Sequence, residues 1–262
     1  MKPVQIRKGT SPVILALPHT GTYVPQNIEA RLNSTGRKLA DTDWHVDRLY
    51  RGLLPGASIV RANFHRYVID ANRDPSGTSL YPGQNTTGLC PETDFDGHEI
   101  YKKGQAPKAD EIERRRLAFH APYHKAIENE ITRLRKIHKI VVLYDCHSIR
   151  SRVPFLFEDV LPNFNIGTNG GVTCSPRLEK LAAEICENAQ GFSSVVNGRF
   201  KGGWTTRHYG NPKAGVHAIQ MELAQSIYMD EAPPWTYQPQ QAREARRVLR
   251  GLLTSIENFA LS

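Results

Sequence analysis

The sequence predicts an α/β protein, a sheet covered by helices, on three observations. Three short apolar runs have strand length: Val13–Leu17, residues 140–144 and residues 216–221. Longer segments with helically spaced apolar residues lie between them. The 262 residues, 39% of them hydrophobic, suffice for one large core, and no Pro/Gly linker divides them, so a single domain over 1–262 is expected.

The elements follow in order. The run VILAL at 13–17 reads as a buried strand ending at Pro18 and His19. A helix is expected over 43–54, capped by Asp41 or Thr42. Residues 72–97, NRDPSGTSLYPGQNTTGLCPETDFDG, have almost no periodicity and many breakers. Loops this long inside a compact domain are usually functional or disordered. The clearest helix covers 110–138, where Ile112, Leu117, Ile127, Ile131 and Leu134 form an apolar face and Pro122 predicts a kink or break. The strand at 140–144 follows, leading into Asp145, Cys146, His147 and Ser148. Residues 154–173 and 197–215 are again irregular. Their glycine-rich pieces lack both the Lys-Ser/Thr ending of a P-loop and the strand-GxGxxG-helix setting. Between them 176–188 reads as a helix, with Ser175 as its cap and proline at its first position. A strand at 216–221 and a helix over about 240–259 close the chain.

Composition narrows the function classes. The four cysteines, at 90, 146, 174 and 186, contain no CxxC pair, which argues against a zinc knuckle or a disulfide framework. The early apolar run is too short for a signal-peptide core or a membrane span, so a soluble cytoplasmic protein is expected, with no membrane partner. The net charge of +8 is interleaved with acids along the chain instead of gathered into an arm. It suits a small anionic substrate, and the aromatics form no stacking platform for nucleic acid.

The strand ends carry the chemistry. In an open α/β sheet, ligands bind in the crevice outside the carboxyl ends of the strands. Three strands deliver His19, His147 and Glu222 there. With an acid of DTDWHVD they form a plausible His/carboxylate/His zinc set with an open position. Asp43 and Asp47 are four apart, so on a helix they share a face; Asp43, in the first turn, is the preferred ligand and Asp47 the substitute. Alternation along a strand puts Asp145 on the side of His147, as an orienting partner, and turns Cys146 away. The HAPYH run places His120 and His124 at i, i+4 but lacks the glutamate of HExxH and contains Pro122, which favours a structural role. Arg66, Arg73, Arg150, Arg152, Arg199, Lys201 and Arg207 lie in or beside the irregular stretches, where guanidinium forks would suit a carboxylate ligand.

In order along the chain, LPHTGTYVP, DTDWHVDRLY, RYVIDANRDP, LYPGQNTTGLCP, DCHSIRSRVPFLFEDVLPNFNIGTNGG, NGRFKGGWTTRHYG and HAIQMELAQSIYMDE resemble the N-formylglutamate amidohydrolase family over nearly the whole length. The resemblance implies a mixed, mostly parallel sheet flanked by helices, like that of zinc carboxypeptidase-type hydrolases. It implies His19, His147 and an acid of DTDWHVD as ligands of one Zn2+ or another divalent transition metal, with Glu222 as general base. Asn72 and Arg73 resemble a pair that holds a substrate carboxylate, and Arg150, Arg207 and His208 compete for a second one. The implied reaction is hydrolysis of N-formyl-L-glutamate to L-glutamate and formate, in histidine degradation. One departure stands out: where the peptidases carry their acidic ligand, three residues after the first histidine, this chain has Thr22.

Overall fold

The computed structural model describes residues 1–79 and 83–262, so Leu80, Tyr81 and Pro82 of the irregular 72–97 stretch lie outside the described residues. The strands are β1 (Val4–Arg7), β2 (Val13–Leu17), β3 (Ser58–Ala62), β4 (Val141–Ile149), β5 (Phe164–Gly167), β6 (Ser194–Val196) and β7 (Val216–Ala224). The helices are α1 (Gln26–Glu29), α2 (Val46–Tyr50), α3 (Ala109–Arg115), α4 (Ala121–Arg135), α5 (Pro176–Glu187), α6 (Trp204–Tyr209) and α7 (Pro239–Leu261).

The strands form one sheet in the order β1-β3-β2-β4-β7-β5-β6. Strands β3, β2, β4 and β7 run parallel at its centre, while β1 is antiparallel to β3 and β5 is antiparallel to β7. The sheet is thus mixed and mostly parallel. Every residue of β2 and β4 is buried because helices cover both faces. On one face Val142, Tyr144 and Cys146 pack with side chains of α2, α5 and α7. On the other, Val141 and Leu143 pack with Tyr123, Ile127 and Leu134 of α4. All four cysteines are free and buried.

Helix α7 shows how the sequence directs this packing. Leu249, Leu252, Leu253 and Ile256 recur at helical spacing, are fully buried and meet the sheet as a single stripe. Each contributes roughly 1.5–3 kcal/mol by burial. Leu253→Ala should therefore cost about 2–5 kcal/mol, read as a lower denaturation midpoint at unchanged slope; a change under about 1 kcal/mol would contradict this packing.

Several expectations need correction. The helix placed over 43–54 is only α2, because His45 turns left-handed at φ 61° before it. Asp43 therefore precedes the helix and is free to face the sheet edge. Neither proposed cap acts as one: Asp41 accepts from the Tyr67 hydroxyl and the Phe95 N–H, and the Thr42 hydroxyl donates to Leu39 O. The long helix over 110–138 is α3 and α4 joined by a π turn, Arg116–His120. Pro122, which has no N–H to continue the ladder, stands just after that turn. The stretch 154–173 contains β5, and 197–215 contains α6. Strands β4 and β7 both run nine residues, so Asp145, His147 and Glu222 lie within strands instead of beyond them.

Candidate active site

The carboxyl ends of β2, β3, β4 and β7 converge on one crevice. Their register fixes its core: His147 of β4 is the direct partner of Glu222 of β7, and Asp145 is that of Gln220. Parallel neighbours in register point to the same face, so the imidazole and the carboxyl stand side by side. His19 follows β2 by two residues and comes to 5.0 Å from His147, ring to ring. Asp43 reaches between them, its Oδ2 3.2 Å from His147 Nδ1 and 3.7 Å from His19 Nδ1. Ligand atoms of His19, Asp43 and His147 all lie within 4.8 Å of one another, and all three residues are buried.

This group has the chemistry of a metal site. The His19 Nε2–H donates to Asp70 Oδ1 at 2.7 Å, which leaves the Nδ1 lone pair facing Asp43. That Nδ1 is buried and has no hydrogen-bond partner, a costly arrangement unless a cation takes it. On His147, Nε2 lies 2.9 Å from Asp145 Oδ2, an ion-pair distance, while Nδ1 faces Asp43. Asn72 Nδ2 stands beside the same nitrogen at 3.0 Å. Carboxylates behind both imidazoles are the usual outer partners of metal-binding histidines. Zinc bonds of about 2.0–2.2 Å in tetrahedral array put donors roughly 3.3–3.6 Å apart, close to the two separations to Asp43. Asp47 is outside the group, paired with Arg61 at 3.0 Å, and Thr22 is exposed.

Electrostatics separate the carboxyls. Burial would raise Asp70, but Arg66, His19 and Arg73 outweigh it and hold the group well below its usual range. Burial pushes Glu222 up to about 8, against the pull of His147 and with the help of Asp43. For His147, burial is outweighed by Asp145, Asp43 and Glu222, which raise it well above its usual value. Gln220 bridges to Glu222: its Oε1 accepts from Gly203 N–H at 2.7 Å, so its Nε2 faces Glu222 Oε2, at 3.2 Å. Gly203 has no room for a side chain, since a Cβ there would lie 2.3 Å from Asn72 Nδ2.

A cleft open to solvent lies over these groups. Its wall includes Arg66, Asn72, Arg73 and Arg199 beside His19, His147 and Glu222. Arg66 is buried, bonded to Asp70 Oδ2 at 2.6 Å and set over the Phe95 ring. Arg73 is tied to Thr87 through its O and Oγ1. Three residues expected at the substrate lie elsewhere. Arg150 pairs with Asp96 at 2.9 Å, Arg207 donates to Gly202 O, and His208 is exposed and stacked on Trp204; none lines the cleft. Cys146 faces away into the core. Asp70, eight residues beyond β3, and Gln220, at the middle of β7, have nothing in their spacing that distinguishes them in the sequence from ordinary polar residues.

Asp70→Asn should weaken metal binding about 10–100-fold, because it replaces the charged acceptor that orients His19 with a neutral, weaker one. Competition with a chromophoric chelator reads this directly, and unchanged affinity would contradict the orienting role.

A parallel-centred α/β sheet that gathers a buried His–Asp–His group able to hold a metal ion, with a carboxyl beside it, suits a hydrolase acting on an amide. The chain belongs to the N-formylglutamate amidohydrolase family, whose model matches residues 11–229. It is 45% identical over 254 residues to the N-formylglutamate deformylase of Pseudomonas aeruginosa, covering 97% of this chain and 95% of that protein. Identity to the N-formylglutamate deformylase of Pseudomonas putida is 43% over 258 residues, with 97% and 96% covered. Among solved structures it resembles the N-formylglutamate amidohydrolase of Ralstonia eutropha JMP134, with TM-score 0.82 and 25% identity over 99% of this chain and 98% of that one.

Proposed function

We propose that this protein hydrolyses N-formyl-L-glutamate to L-glutamate and formate with one divalent transition metal held by His19, Asp43 and His147. The observation that carries the reading is the buried, unpartnered His19 Nδ1 facing Asp43 and His147, with Glu222 fixed beside His147 by the sheet register. Two imidazoles and a carboxylate without a thiolate suit zinc, and cobalt, manganese or iron share those donors. A dication held there would supply Lewis acidity and lower the pKa of water.

The chain's own residues do the rest. Glu222, ionised, accepts a proton from the attacking water and returns it to the amine nitrogen as the C–N bond breaks. Gln220 holds the Glu222 carboxyl in place. Arg73 is assigned to one substrate carboxylate, with Asn72 at its side. Arg199, on the same wall, is better placed for the second than Arg150, Arg207 or His208. The activity would belong to histidine degradation, and the described residues include no helix long and apolar enough to cross a membrane.

The test is formate release from N-formyl-L-glutamate, N-acetyl-L-glutamate (read as acetate) and N-formyl-L-aspartate by metal-analysed protein. Preference for the first supports the reading. Comparable rates on all three point instead to a general N-acyl amino acid hydrolase using the same site, and no turnover by metal-loaded protein sinks the proposal.

A further inference from the structure

The HAPYH histidines belong to neither potential metal group among the described residues. They reach instead to the irregular segment that carries Asn72 and Arg73. His124 Nε2 lies 2.7 Å from Ala71 O, and His120 Nε2 lies 3.0 Å from Arg73 O, so the two imidazoles grip the carbonyls on either side of Asn72. Both side chains are buried.

The tautomers follow from the partners. A carbonyl can only accept, so each Nε2 carries a hydrogen, and burial keeps His124 neutral by lowering it well below its usual value. Its Nδ1 is then an acceptor, and the Tyr209 hydroxyl, 3.1 Å from it and 3.2 Å from His124 O, shares its one hydrogen between these two acceptors. Trp204 meets the His124 ring edge-on at 4.5 Å. Trp204 N–H donates to Asn72 O, Thr205 N–H donates to Asn72 Oδ1 at 2.9 Å, and Asn72 N–H donates to Asp70 Oδ1 at 2.8 Å. Residues 71–73 belong to no helix or strand, so these bonds replace a ladder.

We propose that His120 and His124 are positioning residues that clamp residues 71–73, holding the Asn72 amide against His147 and the Arg73 guanidinium at the cleft wall. The functional half rests on the cleft being the site of N-formylglutamate hydrolysis. The clamp acts on substrate binding through Arg73, while His19 and His147 keep Asp70 and Asp145 as their own carboxylate partners whatever residues 71–73 do. Glutamine can reach the same carbonyl with an N–H, while leucine keeps bulk and loses the donor.

His124→Leu, His124→Gln and Tyr209→Phe are compared with the parent, each with metal content measured. For His124→Leu the expected result is a KM raised about tenfold with kcat within about threefold, unchanged metal content, and faster amide exchange in peptides spanning 70–75. His124→Gln should return KM to within about threefold of the parent. Tyr209→Phe, which keeps the ring, should shift KM and exchange in the same direction by a smaller factor, and it carries the test if His124→Leu does not fold. A folded, metal-loaded His124→Leu with parental KM and exchange overturns the clamp, as does a His124→Gln no better than His124→Leu. If the parent itself fails to turn over N-formyl-L-glutamate, the functional reading falls, while exchange at 70–75, which needs no substrate, still decides whether the imidazoles hold the segment.

Discussion

Glu222→Gln is expected to lower kcat/KM by about 10²–10⁴-fold while leaving the metal bound, because it removes the group that carries the proton and keeps its shape. The same substitution should have the opposite sign in stability. In the metal-free protein burial raises Glu222 from 4.5 to about 8. Between those values the folded protein keeps a proton that the unfolded chain has released, so the stabilisation present below 4.5 is lost as pH rises toward 8. Above that range the fold encloses a carboxylate whose burial is only partly offset by His147 and Arg66, and glutamine carries no such charge. Metal-free Glu222→Gln should thus unfold later than the parent at pH about 8–9, by up to about 5 kcal/mol, with the difference vanishing near pH 4. A bound dication would itself stabilise the carboxylate and shrink the gap. Denaturation of both proteins across pH, with and without metal, checks all of this. Activity within about threefold of the parent, or a stability gap that does not depend on pH, would remove Glu222 from its role.

His19→Ala should abolish stoichiometric metal binding and cost at least about 10³-fold in turnover, since several kcal/mol of transition-state stabilisation leave with the cation. Its effect on folding should be smaller than that of a core truncation. In the parent, His19 Nδ1 is already an unsatisfied buried atom, so deletion removes a liability along with the Nε2 bond to Asp70. Asp70 stays held by Arg66. Stripping the parent with a chelator should reproduce the loss of activity, and zinc should restore it in the parent but not in His19→Ala. Full turnover by metal-free protein would refute the donor set.

Much of this site can be read from the chain because its residues sit on strong signals. VILAL and VVLY are unmistakable buried strands, and histidines at or beyond their carboxyl ends fall where parallel sheets place ligands. Other parts were illegible for physical reasons. Strands β1 and β6 are short edges without an apolar run, and β3 and β5 depend on neighbours distant in sequence. The left-handed turn at His45, which frees Asp43 from the helix, is a tertiary choice that local propensity does not specify. Arginine assignments fared least well by position: Arg73 faces the cleft, while Arg150 is taken by Asp96. A guanidinium on a flexible stem gives no sequence signal of where it will point.

The burial of every thiol bears on how such a protein can be handled. Cys146, one residue from the proposed ligand His147, projects to the opposite side of β4, and burial pushes Cys90 up to about 11 and Cys174 and Cys186 to about 12. Alkylating agents and peroxide should leave the enzyme intact, because the thiolate they require is scarce and shielded. Added dithiols, the customary protectants, would then bring no benefit and would compete for the proposed divalent metal, so storage without reductant should preserve activity longer.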